Sequence, residues 1–326
     1  MNILILCCGT RNKIVQYFKK ELTGIGRVIA TDSSPTAPAL YDADKYHVVP
    51  AISEEGYIER VLDICRDERI SGVFSLIDPE LSLLARERER FSRIGVTVIG
   101  SSYDLCEMTH DKWKMHQWLI KHGYNSAKTF INKEHFLYAL EKGEINYPVV
   151  VKPIRGSASL SVHKVNTLEM LEALFSAGEE LMIQEFLNGT EIGVDGYVDI
   201  ISGNVSAIFT KKKLLMRAGE TDKAVSFKDE ALFELMQRFI TECGFYGQID
   251  IDVFNINGKY FISEVNPRFG GGYPHAYECG VNFPAMIINN LLGNVNRCDV
   301  GQYEEGVFMM KYNDVMVRRV GSFQEQ

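Results

Sequence analysis

The chain has 326 residues, 46% hydrophobic and 24% charged, the composition of an ordinary globular protein with room for roughly two or three lobes. Its 35 Lys and Arg against 43 Asp and Glu give a net charge of -8, which argues against a nucleic-acid binder held by counterion release but leaves local phosphate sites open. Seven cysteines, odd in number and without CxxC spacing, suggest neither a disulfide framework nor a zinc site.

Met1 to Cys8 is apolar but lacks the charged lead of a signal peptide, and no run approaches a membrane span, so a reducing cytoplasm and no membrane partner are expected. Ile3 to Cys8, then Gly9-Thr10-Arg11-Asn12 and a helical pattern through Val15, Tyr17, Phe18 and Leu22, read as a buried parallel strand turning into a helix. Further strands are expected at Val28 to Thr31, Tyr46 to Val49 and Val73 to Leu76, with a helix from Tyr57 to Glu68. This alternation predicts an open doubly wound sheet. Asp32 follows the second strand, yet the first turn reads CCGTRN rather than GxGxxG, which sets a dinucleotide site aside. Asp78, Glu80 and Arg86 to Arg90 read as a solvated helix face.

Ser101 to Cys106 and Asp111 to His122 read as short helices, the second capped by Asp111, with Lys112 by itself an exposed helix residue. A helix from Lys133 leads to Tyr147-Pro148, and Val149 to Pro153 forms a strand carrying Lys152 near its end. The small-residue loop Arg155 to Ser159 precedes a strand from Ser161 to Val165. Such a hairpin brings backbone N–H groups close to phosphate oxygens and the lysine adds a point charge, although a plain solvent hairpin reads the same way. Leu181 to Phe186 is a strand, and another runs from Glu191 to Val198. A purine against that connection would have backbone around Glu185 to Leu187 to read its edge and Glu191 to hold ribose; without one, both acids are ordinary strand-end charges.

Asn204 to Lys213 is a strand running into Lys211-Lys212-Lys213, read as a solvated edge, and then a polar loop from Arg217 to Lys223. Lys228 to Cys243 is an amphipathic helix ended by Gly244. From Tyr246 to Gly272, two alternating strands flank an Asn257-Gly258 turn, putting Asp250 and Asp252 on one strand face and Glu264 and Asn266 on its neighbour. Asp252, Glu264 and Asn266 are hard oxygen ligands suited to magnesium shared with phosphates; an acidic strand face in water is the plainer alternative. A helix from Phe283 to Leu292 and two strands within Gly306 to Val320 complete the chain. His275, Arg217 and Lys223 are candidates to meet a second substrate, against a default role as satisfied polar surface residues.

In chain order the sequence thus carries ILILCCGTR, an HDK helix start, VVVKP, a small-residue loop, QEF followed by GTE, and DVF…SEVNPR. This set resembles the ATP-grasp superfamily over nearly the whole chain, and most closely the halves of carbamoyl phosphate synthase large chain and its small stand-alone relatives. The resemblance implies an α/β ATP-grasp fold with a doubly wound parallel domain at 1–107, a lid subdomain at 108–188 and a mixed α+β domain carrying the metal site at 189–326. It implies a carboxylate-amine ligase that uses ATP and two magnesium ions, with Mn2+ an admissible substitute. Activation of bicarbonate or carbamate, and a non-catalytic nucleotide-binding subunit, are the alternatives.

Residue by residue, the resemblance makes Lys112 and Lys152 the nucleotide-facing lysines and Gly156 to Ser159, with Ser157 and Ser159, the loop over the phosphates. Gln184, Glu185, Phe186 and Leu187 become the adenine hinge and Glu191 the ribose contact. Asp252, with Asp250 its rival, Glu264 and Asn266 become metal ligands, and Arg268 the cation on the phosphorylated intermediate. Asp replaces the family's more usual Glu or Gln, and the glycine-rich loop is short. The accessory domains of carbamoyl phosphate synthase are expected to be missing. Small-molecule carboxylate and amine partners are implied, and a homodimer is left open.

Overall fold

The computed structural model describes residues 1–156, 161–176 and 180–319. Five strands, β1 (Asn2–Leu6), β2 (Arg27–Asp32), β3 (Lys45–Val48), β4 (Ile70–Ser75) and β5 (Thr97–Val98), pair in parallel in the order β3-β2-β1-β4-β5. Around this sheet run α1 (Asn12–Glu21), α2 (Tyr57–Asp67), α3 (Asp78–Arg86), α4 (Arg88–Arg93) and α5 (Tyr103–His110). Ile14, Val15 and Phe18 of α1 cluster with Ile3, Ile5 and Val28, while Val61, Leu62 and Ile64 of α2 cluster with Leu4, Leu6 and Ile29. Both faces of β1 are therefore covered, which is why its sequence is a continuous apolar run. Each such side chain contributes about 1.5–3 kcal/mol by leaving water.

Asp111 caps α6 (Lys112–Lys121), its Oδ1 accepting from the Lys114 amide at 3.0 Å. A four-stranded antiparallel sheet follows, built from β6 (Thr129–Phe130), β7 (Val149–Pro153), β8 (His163–Val165) and β9 (Leu181–Glu185) in the order β6-β9-β7-β8, with α7 (Lys133–Glu141) and α8 (Leu168–Phe175). Val149, Val151, Val165 and Ile183 cluster with Phe136 and Leu171 of these helices. Strand alternation leaves Val150, Lys152 and Gln184 on the opposite face.

The third layer is a six-stranded antiparallel sheet of β10 (Thr190–Val198), β11 (Val205–Arg217), β12 (Glu220–Ser226), β13 (Gly247–Ile256), β14 (Lys259–Asn266) and β15 (Phe308–Met310), in the order β14-β13-β10-β11-β12-β15. The amphipathic helix α9 (Glu230–Cys243) buries Leu232, Met236, Phe239 and Ile240 in one cluster with Ile192, Val194, Ile249, Ile251 and Val253. It ends at Gly244, whose φ of 76° suits a left-handed cap. The short α10 (Tyr273–Glu278) and α11 (Phe283–Leu291) follow the hairpin.

Several expectations are corrected. Lys211 and Lys213 are not at a solvated edge: β11 continues to Arg217, and alternation turns both side chains inward while Lys212 stays exposed. The expected loop from Arg217 to Lys223 is a hairpin, because Ala218 and Gly219 (φ 49° and 76°) make a two-residue turn that pairs Arg217 with Glu220. Asp78 and Glu80 are buried on α3, where Tyr57 and Ser75 hydroxyls donate to Glu80. Arg88 also turns inward, donating to the Val98, Gly100 and Ser101 carbonyls. Within Gly306 to Val320 the described residues hold one strand, β15, instead of two.

Candidate active site

Asn257 and Gly258, at φ of 52° and 83°, close the β13–β14 turn expected from the sequence and pair Ile256 with Lys259, and a bulge between Asp252 and Val253 then shifts the register by one residue. Asp252 lies opposite Glu264, and Asp250 opposite Asn266. Directly opposed side chains share a face with Cβ atoms about 5 Å apart. On the other side of β13, Gly193 and Asp195 of β10 lie opposite Asp252 and Asp250. Two carboxylates and an amide oxygen are thus gathered on one face, the hard donor set magnesium prefers, and among the described residues the Glu264 side chain has no hydrogen-bond partner. A cation already takes one of these positions: Lys213 Nζ lies 2.6 Å from Asp252 Oδ1. The donor set fits a magnesium ion at Asp252, Glu264 and Asn266. It is not a cluster of three His, Cys, Asp or Glu ligands, and none occurs among the described residues.

Lys211 and Lys213 reach this face from β11 across β10. The crossing requires Gly193, since a Cβ there would lie 2.9 Å from Lys211 Cε and 3.4 Å from Lys213 Cε. Lys211, 1% exposed, pairs with the equally buried Asp195, and Lys213 also reaches Glu191 at 2.9 Å. Burial pulls the Lys213 ammonium down, but the Asp252, Glu191 and Asp250 carboxylates outweigh it and hold its pKa above the ordinary lysine range. Asp250 is pushed up by burial and by the Asp252 and Asp195 charges, against the pull of Arg268 and Lys211. Sequence reasoning missed Gly193, Asp195, Lys211 and Lys213 as a set. Their period-two spacing was legible, but nothing local said which strand face points inward.

Lys152, at 8% exposure, faces the same region from β7. Burial lowers its pKa, the Glu264 and Asp252 carboxylates oppose that shift, and Lys112 reinforces it. Among the described residues Lys152 makes no ion pair. The Lys112 ammonium donates to the Gly156 carbonyl, and its backbone N–H donates to Ile154 O at 3.0 Å. Lys112, Met115, Gln184, Glu264 and Val265 line one narrow crevice, so β9, α6 and β14 converge there. The Gln184 side chain donates to Thr129 Oγ1 at 3.0 Å; Glu185 accepts from the Lys128 amide at 3.2 Å; Lys164 Nζ stands 4.0 Å from the centre of the Phe186 ring; and Leu187 is buried. Ser157 and Ser159 lie outside the described residues.

Arg268 joins the hairpin to the N-terminal layer: its Nε and Nη2 donate to Asp78 at 3.0 and 3.3 Å, and Nη1 lies 3.6 Å from Asp250. The loop Gly270 to Gly272 follows, and a Cβ on Gly270 would strike the Asp250 carboxylate at 2.3 Å. His275 is no surface residue. It is 2% exposed and pairs through Nε2 with the Val307 carbonyl at 3.0 Å, and burial with Lys211 nearby lowers its pKa to about 4. Arg217 and Lys223 are exposed on the β11–β12 hairpin, Arg217 lying 3.4 Å from Asp222.

The ATP-grasp domain family matches residues 109–272, a span that contains the β7 lysine, the β9 hinge and the whole β13–β14 hairpin. The chain belongs to the ATP-grasp family. The N-terminal sheet of this ATP-grasp chain matches the PylC-like, N-terminal domain family over residues 3–99. The chain is 29% identical over 197 residues to the carbamoyl phosphate synthase large chain of Campylobacter jejuni, a match covering 55% of this chain and 18% of that protein. With the arginine-specific large chain of Bacillus subtilis the identity is 21% over 260 residues, covering 75% of this chain and 24% of the other. The chain therefore spans only a minor part of the length of these relatives.

Among solved structures, the ATP-grasp chain superposes on the biotin carboxylase domain dimer of 2-oxoglutarate carboxylase from Hydrogenobacter thermophilus, in complex with MgADP, ADP and bicarbonate. The TM-score is 0.76 at 17% identity, covering 94% of this chain and 73% of that one. N5-carboxyaminoimidazole ribonucleotide synthetase from Thermotoga maritima gives 0.67 at 17% identity, covering 91% and 77%. These likenesses support the fold. No helix among the described residues is long and apolar enough to cross a membrane.

Proposed function

We propose that the protein is an ATP-dependent ligase that joins a carboxylate to an amine. The observation that carries this reading is the meeting of Lys152, a buried lysine with no ion pair among the described residues, with the opposed carboxylates Asp252 and Glu264. A buried ammonium lacking a partner is costly, and a triphosphate supplies the missing negative charge. Lys152 and Lys112 would hold the phosphates, with the Gly156 loop, including Ser157 and Ser159, over them. The backbone of Glu185 to Leu187 would read the adenine beside Gln184, and Glu191 would receive the ribose. Asp252, Glu264 and Asn266 would hold magnesium, which when bound neutralises phosphate charge.

In the proposed reaction a substrate carboxylate oxygen attacks the γ-phosphorus, and ADP leaves with the electrons of the broken P–O bond. The product is an acyl phosphate, whose charge Arg268, anchored by Asp78, is assigned to stabilise. The amine lone pair then forms the C–N bond as the C–O bond to phosphate breaks, and the amine's extra proton passes to solvent. The test is ADP release by the purified protein with MgATP across carboxylic acids and amino acids, with and without added amines. Release that requires one acid plus one amine is expected. Release with bicarbonate alone would point to the carbamoyl phosphate type of reaction, and magnesium-dependent ATP binding without turnover would point to a binding subunit.

A further inference from the structure

Strands β10, β13 and β14 turn the carboxylates of Glu191, Asp195, Asp250, Asp252 and Glu264 toward the proposed metal face, and all but one of them already face a cation. Asp195 pairs with Lys211, and Asp250 lies 3.6 Å from Nη1 of Arg268. Lys213 bridges two more, its Nζ standing 2.6 Å from Asp252 Oδ1 and 2.9 Å from Glu191 Oε1. Glu264 alone of this group has no ion-pair partner among the described residues.

Lys213 is built into its position. Its side chain is 5% exposed and crosses β10 over Gly193, where a Cβ would lie 3.4 Å from its Cε. A swing away from the face would leave both Asp252 and Glu191 without their cation. The donors that remain suit one divalent ion: Asp252 keeps Oδ2, Glu264 keeps both carboxylate oxygens, and Asn266 keeps its amide oxygen. Magnesium bound with a nucleotide needs only one or two carboxylates, the rest of its shell being phosphate and water. A second ion about 3.5–4 Å from the first would call on Asp252 Oδ1 as well. That oxygen is on the ammonium, and the remaining unpaired charge is a single carboxylate, so like-charge repulsion in a buried place opposes the second ion.

We infer that the site takes one divalent cation with its nucleotide, and that the Lys213 ammonium is the resident second cation, holding Asp252 in place of a second magnesium ion. This deepens the ligase reading and rests on it for the nucleotide that brings the ion. Lys213 is a positioning residue: it fixes the Asp252 carboxylate and adds positive charge beside the phosphates without having to be bound.

The test counts Mn2+ by electron paramagnetic resonance on the full chain mixed with the β,γ-imido analogue of ATP, with the analogue alone as control. Two Mn2+ ions a few ångströms apart couple and broaden the spectrum, whereas a lone ion keeps its resolved hyperfine lines. Wild type is expected to hold one uncoupled ion per chain. Lys213→Met frees Asp252 Oδ1 and should raise the count to two, with coupling; Lys213→Arg keeps the charge and should stay at one. Lys213→Gln takes the place of the methionine variant if melting curves show that the latter does not fold. A coupled pair in wild type, or a single ion in folded Lys213→Met or Lys213→Gln, overturns the assignment. ADP release on the same samples separates the two readings. A coupled wild-type pair with acid- and amine-dependent release keeps the ligase and sinks the resident cation, whereas the expected counts without release do the reverse. No nucleotide-dependent Mn2+ binding sinks the metal site and this inference with it.

Discussion

Two buried lysines less than a sheet apart in function differ in what surrounds them. Lys213 on β11 lies between Asp252 and Glu191, and its charge is stabilised by them. Lys152 on β7 is equally withdrawn from water, has no ion pair among the described residues, and has its pKa lowered by burial with Lys112 nearby. The first is charge already balanced within the fold; the second has no ion pair among the described residues and is supported only by the Glu264 and Asp252 charges at longer range. Burying an ammonium is a cost that a site accepts when a ligand will supply the anion, which is why the proposed triphosphate site is drawn at Lys152 and not at Lys213.

The largest effect should come from breaking a balanced pair. Lys211→Met leaves Asp195 buried and unpaired, and the expected loss is about 3–5 kcal/mol in denaturant unfolding, largely recovered by adding Asp195→Leu. A loss below about 1 kcal/mol would mean that the pair is not buried in solution.

Lys152 should behave in the opposite sense. Lys152→Ala and Glu264→Gln are each expected to cut ADP formation about a hundred- to a thousand-fold, on the scale of losing one preorganised contact, while the ligand-free melting temperature is held or raised. Near wild-type turnover in either variant would remove the proposed site.

Alkaline titration sharpens the contrast further. The folded Lys152 pKa lies below the unfolded value of about 10.4, so the unfolded chain binds the extra proton between the two, and stability attributable to Lys152 rises with pH across that window. For Lys213 the folded pKa is raised; its contribution is complete below about 10.4 and is lost as pH climbs through the folded value. Unfolding free energies from pH 8 to 11 for Lys152→Met and Lys213→Met should therefore depart from wild type with opposite slopes. Parallel curves would show that the two environments are alike.

The smallest effect belongs to Lys212, the middle lysine of the run. It faces solvent, with Nζ 5.1 Å from the centre of the Phe227 ring, and Lys212→Ala should change stability by less than about 1 kcal/mol. Thermal unfolding beside the Lys211 variant makes the comparison within one tripeptide.

Periodicity alone specified a good part of this protein. The continuous apolar run of β1, the alternation of β13 and β14 and the Asn257-Gly258 turn each impose a local geometry, so the opening parallel sheet and the existence of the hairpin were legible residue by residue, whereas the bulge between Asp252 and Val253 that brings Asp252 opposite Glu264 was not. The order of short motifs sufficed for the ATP-grasp family, because each occupies a fixed place along the fold. Tertiary structure decided what depended on partners far along the chain. Three identical lysines divide into buried and exposed only because β11 continues past them and Gly193 leaves room for two of them to cross β10. Asp78 read as a solvated helix residue until Arg268, 190 positions later, arrived to neutralise it. The ion pairs that Arg11 and Lys311 make with Glu220 left no local signal at all, since their members come from three separate parts of the chain. Local sequence fixes φ, ψ and the face on which a side chain lies; whether a charge there is satisfied is a property of the space that distant segments close around it.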